Sequence, residues 1–205
     1  MHISHDGKPL LPEKKRTPVQ ILTAEEVYAA VKGTPIELPC LLEMWLTLSI
    51  SEIRGLTKSK SLRGDQLSIV ETVIDVGGEP VRKAGGKEEE RSRTLTMPPY
   101  IMQLIRQTED DVICPLSSQA TNKRLSRLLE KNGLPHISFH KLRHISASTM
   151  AELGIQKEIM QERGGWKTSK VMDTVYTHVF DASRRQADRT IDEKFNSLTE
   201  KANKK

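Results

Sequence analysis

The chain has 205 residues, 36% of them hydrophobic and 29% charged, with a formal charge of +5 and a pI near 9.2. That length holds one sizeable core plus tails. It contains no apolar run near the ~20 residues of a membrane span, and the opening MHISHDGKPLLPEKKRTP has no signal-peptide core. Cys40 and Cys114 are too few for a disulfide framework or a cysteine zinc site. The expectation is a cytoplasmic protein with reduced thiols, whose basic charge admits nucleic acid as a partner without requiring it.

Residues 1–20 carry three prolines and the run Glu13-Lys14-Lys15-Arg16, and read as a linker or flexible arm ahead of a domain over 21–198, with 199–205 as a tail. Thr23 followed by Glu26 forms a capping box for a first helix. From Leu38 to Ser49 the residues Leu, Met and Trp45 predict a buried core helix, and a short helix follows over Ser51–Leu56. Gln66–Val76 is β-branched and partly alternating, a strand that ends at the Gly77-Gly78 turn. Val81–Lys83 and Arg93–Met97 are the second and third strands, separated by a loop with Lys87 at its tip. After Pro98-Pro99, helices are expected near 100–108, 119–131, 140–153, 155–163, 168–176 and 183–197. The fold class is therefore α+β and mainly α-helical, with one small three-stranded antiparallel sheet.

Ile137–Met150, ISFHKLRHISASTM, concentrates the chemistry. At about 100° per residue, Leu142, Ile145, Thr149 and Leu153 form an apolar stripe, leaving His140, Arg143, His144 and Ala147 on a face that need not be buried. His140 and His144 have zinc-ligand spacing, but no carboxylate or cysteine nearby supplies a third ligand and Arg143 would sit beside the cation, so no metal is expected. A guanidinium with a neighbouring imidazole suits a phosphate instead, one gripping oxygens and the other moving a proton. A solvated basic helix end is the plainer alternative.

Further along come Gly164-Gly165-Trp166 and then Tyr176-Thr177-His178. His140-Lys141-Leu142-Arg143-His144, a Gly-Gly-Trp and a Tyr-Thr-His in this order resemble the tyrosine recombinases, the phage integrase family, over roughly Leu22 to Lys194. The resemblance implies that family's catalytic fold and site-specific DNA cutting and rejoining, with no metal or nucleotide cofactor. Such chemistry moves phage or conjugative elements into and out of a bacterial genome. Implied partners are double-stranded DNA attachment sites, a synaptic homotetramer assembled from monomers, and directionality or DNA-bending accessory proteins. Asp181–Leu198, with Ile191, Phe195 and Leu198 spaced for one face, matches the segment that docks on a neighbouring protomer. The N-terminal DNA-binding domains usual in the family are not in this sequence, which is read as beginning in the interdomain linker.

Residue by residue, Tyr176 matches the nucleophile, Arg143 the second arginine of the phosphate clamp and His140 its partner histidine. Trp166 occupies a position held by His or Trp, and Lys87, preferred over Lys83, matches the hairpin lysine that protonates the leaving oxygen. His144 is left as a packing or supporting histidine. Two features depart from the pattern. Glu88-Glu89-Glu90 beside Lys87 would repel phosphates unless turned away. More seriously, the family's Gly-Leu-Arg-x-x-Glu is here Thr47-Leu48-Ser49-Ile50-Ser51-Glu52, with Ser49 in the slot of the first clamp arginine. Arg54, about 140° further round a helix, is a possible substitute but not an automatic one. A DNA-binding module with impaired cleavage is accordingly the competing reading, and a type IB topoisomerase relative a third.

Overall fold

In the computed structural model, which describes residues 22–84, 94–166 and 188–195, the chain begins with the expected cap. The Thr23 hydroxyl accepts from the Glu26 N–H and the Glu26 carboxylate accepts from the Thr23 N–H, starting α1 (Ala24–Val31). Helix α2 (Glu37–Leu46) is the hub, packing on α1, on α3 (Ile50–Gly55), on α5 (Pro99–Gln107) and on α7 (Lys141–Glu152). Its sequence ELPCLLEMWL is buried at every position except Trp45, which is 45% exposed. The expected core helix is present but ends at Leu46 rather than Ser49, and Trp45 is not part of that core: it lines an open groove with residues of α1 and of the later helices.

Between α3 and α5 the described residues make a short helix α4 (Lys58–Ser61) and five strands: β1 (Leu62–Arg63), β2 (Gln66–Ser68), β3 (Glu71–Val76), β4 (Glu79–Ala84) and β5 (Thr94–Thr96). They form two sheets rather than one. Antiparallel order β1-β2-β5 gives a three-stranded sheet, and β3-β4 is a separate hairpin. The single strand expected over Gln66–Val76 is thus interrupted at Ile69-Val70, and the third expected strand pairs with β2, Leu95 opposite Leu67, instead of with β4. Apolar patterning could not reveal this, because Leu67, Ile69 and Val73 are all buried on either side of the break. Gly77 and Gly78 have φ of 62° and 91°, the positive pair that a tight hairpin turn demands.

Helix α3 locks the hairpin in place. A Cβ on Gly55 would lie 2.1 Å from the Glu71 carbonyl oxygen, so only glycine lets β3 approach. Buried Arg54 grips both oxygens of Asp75 at 2.9 and 3.0 Å and donates to the Ser118 hydroxyl at 3.0 Å, joining α3, β3 and the start of α6 (Ser118–Lys131). Glu71 accepts from Lys60 and Arg82 on the outer side.

The main core runs from Leu22 to Ile145 through α1, α2, α3, α5 and α6, and includes Phe139 and Leu142 just before and within α7. A smaller cluster of Ala147, Met150, Ala151 and Met160 joins α7 to α8 (Lys157–Gly164), with Ile155 and Trp166 against it. Residues 188–195 are helical and exposed throughout, which agrees with the expected C-terminal helix over that part. The expected helix at 168–176 and the segments 1–20 and 199–205 lie outside the described residues. Among the described residues, no helix is long and apolar enough to cross a membrane.

Candidate active site

The first turn of α7 presents His140 and Arg143. Its position is set by Phe139, 1% exposed, whose N–H donates to the Asn122 side chain at 2.9 Å, tying the turn to α6. The expected division of faces on this helix is only half right. Leu142 and Ile145 enter the core, but Leu153 is 72% exposed, while Arg143 and Ala147 are buried. α8 and the turn after it cover the face that was expected to meet solvent.

That turn holds the arginine. Gly165 is left-handed at φ 58° and reverses the chain, and Trp166 folds back so closely that a Cβ on Gly164 would fall 1.9 Å from its ring. The indole then lies 5.2 Å from the Arg143 guanidinium carbon, in cation–π range, and the Gly164 carbonyl accepts from Nη2 at 2.6 Å. Each residue of Gly-Gly-Trp therefore has a separate steric task in fixing Arg143. Opposite, Nη1 is 4.0 Å from a Glu52 carboxylate oxygen, and Nε is buried without a hydrogen-bond partner. Burial pulls the arginine below its usual pKa range, with Glu52 and then Glu43 opposing, but a guanidinium retains its proton at any working pH.

Ser49 has become a helix cap. Its hydroxyl accepts from the Glu52 N–H and also donates to a Glu52 oxygen at 2.9 Å, while its own N–H donates to the same oxygen at 2.6 Å. Just before it, Thr47 stands where the family places glycine and is left-handed at φ 59°, alone among described non-glycine residues. A β-branched residue there costs roughly 1–2 kcal/mol. Its hydroxyl lies 2.9 Å from the Arg163 carbonyl, which ties the end of α2 to α8. Arg54 is fully engaged by Asp75 and Ser118, so the structure does not bring it to Arg143. Lys83 is on exposed β4. Lys87 and Tyr176 fall outside the described residues.

One group went unnoticed in the sequence: Glu43, in the middle of α2, is 0% exposed and neither carboxyl oxygen has a hydrogen-bond partner. Its one signal was an acidic residue inside an otherwise apolar helical run. Oε1 lies 3.9 Å from His140 Nδ1. Burial pushes the Glu43 carboxyl up to about 9, with Arg143 pulling down and Glu52 adding to the rise, so it is a neutral acid at pH 7. Partial burial, then the charges of Arg143 and Lys141, lowers His140, an effect that solvent screens because the side chain is 68% exposed. His144 stands edge-on to it at 5.8 Å and is lowered for similar reasons. The pocket thus pairs one fixed cation with a neutral imidazole and a neutral buried acid. Among the described residues no cluster of metal-binding side chains occurs.

Comparison with known proteins gives the family and the fold. The profile of the phage integrase family matches residues 23–183, and the chain belongs to that family. It is 23% identical to a tyrosine recombinase XerC-like protein of Caldanaerobacter subterraneus subsp. tengcongensis, over 91% of this chain and 58% of that protein. It is 32% identical to the integrase of Staphylococcus phage L54a, over 38% of this chain and 22% of that protein. The chain therefore spans little more than half of the first relative. In fold it is similar to the Tn1549 transposon integrase in complex with circular intermediate DNA, at 18% identity and a TM-score of 0.69 over 86% of this chain and 68% of the other. XerA recombinase follows at 15% identity and a TM-score of 0.59, over 88% and 66%. A lambda integrase dimer bound to a core site gives 16% identity and 0.54, over 75% and 58%. The mainly helical catalytic fold with small antiparallel sheets is that of the tyrosine recombinases.

The Glu43 acid also sets a pH dependence of stability. Its folded pKa of about 9 lies above the unfolded value of 4.5, so folding takes up a proton between those limits. Its contribution is complete below pH 4.5 and is lost as pH rises towards 9. Glu43→Gln, which has no proton to lose, is expected to unfold at higher urea than the native chain at pH 8, with the difference shrinking by pH 5. Urea midpoints across that range check it.

Proposed function

We propose that this chain is the catalytic domain of a site-specific DNA recombinase that cuts and rejoins strands through a 3′-phosphotyrosine on Tyr176. The observation that supports it most is the preorganised guanidinium of Arg143, buried against Trp166 and the Gly164 carbonyl beside His140. Donors fixed before the reaction are most effective where charge develops on non-bridging phosphate oxygens. The Tyr176 oxygen attacks phosphorus, the P–O5′ bond breaks, and the tyrosine proton passes to a base, for which the neutral His140 is suited. Lys87 protonates the departing 5′-oxygen. One phosphodiester replaces another, so neither ATP nor metal is needed, and attack by the partner strand's 5′-hydroxyl reverses the step.

The substrate in this reading is a pair of double-stranded attachment sites of a phage or conjugative element, recombined in the bacterial cytoplasm by a homotetramer, with directionality or DNA-bending proteins assisting. The Tn1549 and lambda integrases, whose structures contain DNA, make DNA the partner of choice. An open apolar groove of about 780 Å³ lined by Tyr28, Met44, Trp45, Met150, Leu153 and Ile159 supports assembly. It accounts for the exposure of Trp45 and Leu153, and it suits the exposed Ile191 and Phe195 of a neighbouring protomer's C-terminal helix. Ser49 as a helix cap favours the second reading, a DNA-docking module with weak cleavage.

A nicked suicide duplex of the native site is expected to give a covalent protein–DNA adduct with the full-length protein and none with Tyr176→Phe; an absent adduct in the native protein favours the docking module. Replacing the cap by a guanidinium bears on the clamp directly. Ser49→Arg is expected to raise the cleavage rate by ~10²-fold, at about 1 kcal/mol of stability for the lost cap. An unchanged rate in the same assay means that another cation completes the clamp.

A further inference from the structure

Buried polar groups without partners are rare in folded proteins, and they concentrate here. Among the described residues, three of the four such side-chain atoms belong to the site: both carboxyl oxygens of Glu43 and Nε of Arg143. The fourth is the Thr57 hydroxyl. A leucine of similar volume would fill the Glu43 position at no such cost, since its neighbours Leu42 and Leu46 are buried aliphatics. A destabilising acid retained at the centre of a core helix, facing the residues matched to the chemistry, is a pattern of function rather than of stability.

We propose that Glu43 is a positioning residue for strand transfer: its buried carboxyl sets the His140 ring through Nδ1 while leaving the charge of Arg143 available to the phosphate. This rests on the recombinase reading above. Nδ1 is the imidazole nitrogen on the Glu43 side, 3.9 Å from Oε1, about one ångström beyond hydrogen-bond distance. With the Glu43 carbonyl oxygen accepting from Nδ1–H, the tautomer is fixed and Nε2 is the unprotonated nitrogen left to take the tyrosine proton. Carboxyl–histidine pairs orient catalytic imidazoles in this manner.

The protonation state matters because of Ser49. With a serine in the first arginine slot, Arg143 is the cation matched to the clamp, and an ionised Glu43 beside it would cancel its charge towards the phosphate. Among the described residues, the groups facing Glu43 are Arg143 from α7, His140 at its cap and Glu52 from α3, with Cys40 one turn back on α2. Of these, Glu52 disfavours ionisation and Arg143 favours it, and burial outweighs both. Glu43 therefore supplies hydrogen-bonding capacity without negative charge until the pH is well above neutral.

The test uses the full-length protein with a nicked suicide duplex, comparing Glu43→Leu and Glu43→Gln from pH 7 to 9.5. Glu43→Leu is expected to form adduct at least tenfold more slowly, and Glu43→Gln to recover most of that loss. The ratio of the Gln variant's rate to the native rate should rise with pH, as the native carboxyl ionises. A leucine variant that cleaves at the native rate, or a glutamine variant as slow as leucine with a flat ratio, overturns the proposal. A parallel readout needs no cleavage: ¹⁵N shifts of His140, assigned with His140→Gln, report its tautomer. Glu43→Leu should mix the tautomers and Glu43→Gln should preserve the native one; unchanged shifts in both overturn the proposal even where no adduct forms. Loss of adduct in the native protein, by contrast, sinks the recombinase reading alone.

Discussion

The site depends on one buried cation. Arg143 is held by the Gly164 carbonyl on one edge, by the Trp166 ring over its plane, and by Glu52 at 4.0 Å. Burying a guanidinium is costly unless its surroundings compensate, and here three different elements, α3, α7 and the turn after α8, are fixed with respect to one another to do so. The glycines of Gly164-Gly165 exist for this purpose: one lacks a Cβ where the indole lies and the other takes the left-handed turn. Thr47, strained at the end of α2, reaches the Arg163 carbonyl and so belongs to the same arrangement.

Around that centre the charges are distributed with little redundancy. Arg54, the sequence's spare guanidinium, is committed to Asp75 and Ser118, where it fastens the β3–β4 hairpin to α3. Held there, Arg54 serves the geometry of the domain rather than the phosphate. Ser49 and Glu52 close a capping box on each other. A site assembled this way relies on the orientation of Arg143 and His140 more heavily than one with two clamp arginines would.

Much of this was legible in the sequence. The Thr23–Glu26 capping box, the Gly-Gly turn of the hairpin and the helices between Pro99 and Gly164 follow from local chemistry, and the spaced His-Lys-Leu-Arg-His, Gly-Gly-Trp and Tyr-Thr-His motifs identify the family. What escaped was set by tertiary packing. Periodicity placed Arg143 and Ala147 on an open face because it cannot foresee α8 folding over them. The β2–β3 break is invisible because Leu67, Ile69 and Val73 are all buried. Glu43 passed unnoticed within a run read as a buried core helix, since only the packing around it shows that its carboxyl has no hydrogen-bond partner. Arg54 could be named from its number but not placed, since its partner Asp75 lies 21 residues away on a strand.

In the proposed reaction the planar guanidinium of Arg143, and not merely a positive charge, organises the phosphate. Arg143→Lys keeps the charge but loses the stack on Trp166 and the forked donors. The decisive measurement is single-turnover adduct formation on a nicked suicide duplex, alongside affinity for the intact site. The expected result is a fall in rate of ~10²-fold or more with affinity within a few-fold of the native protein. A lysine variant that cleaves at the native rate would contradict it.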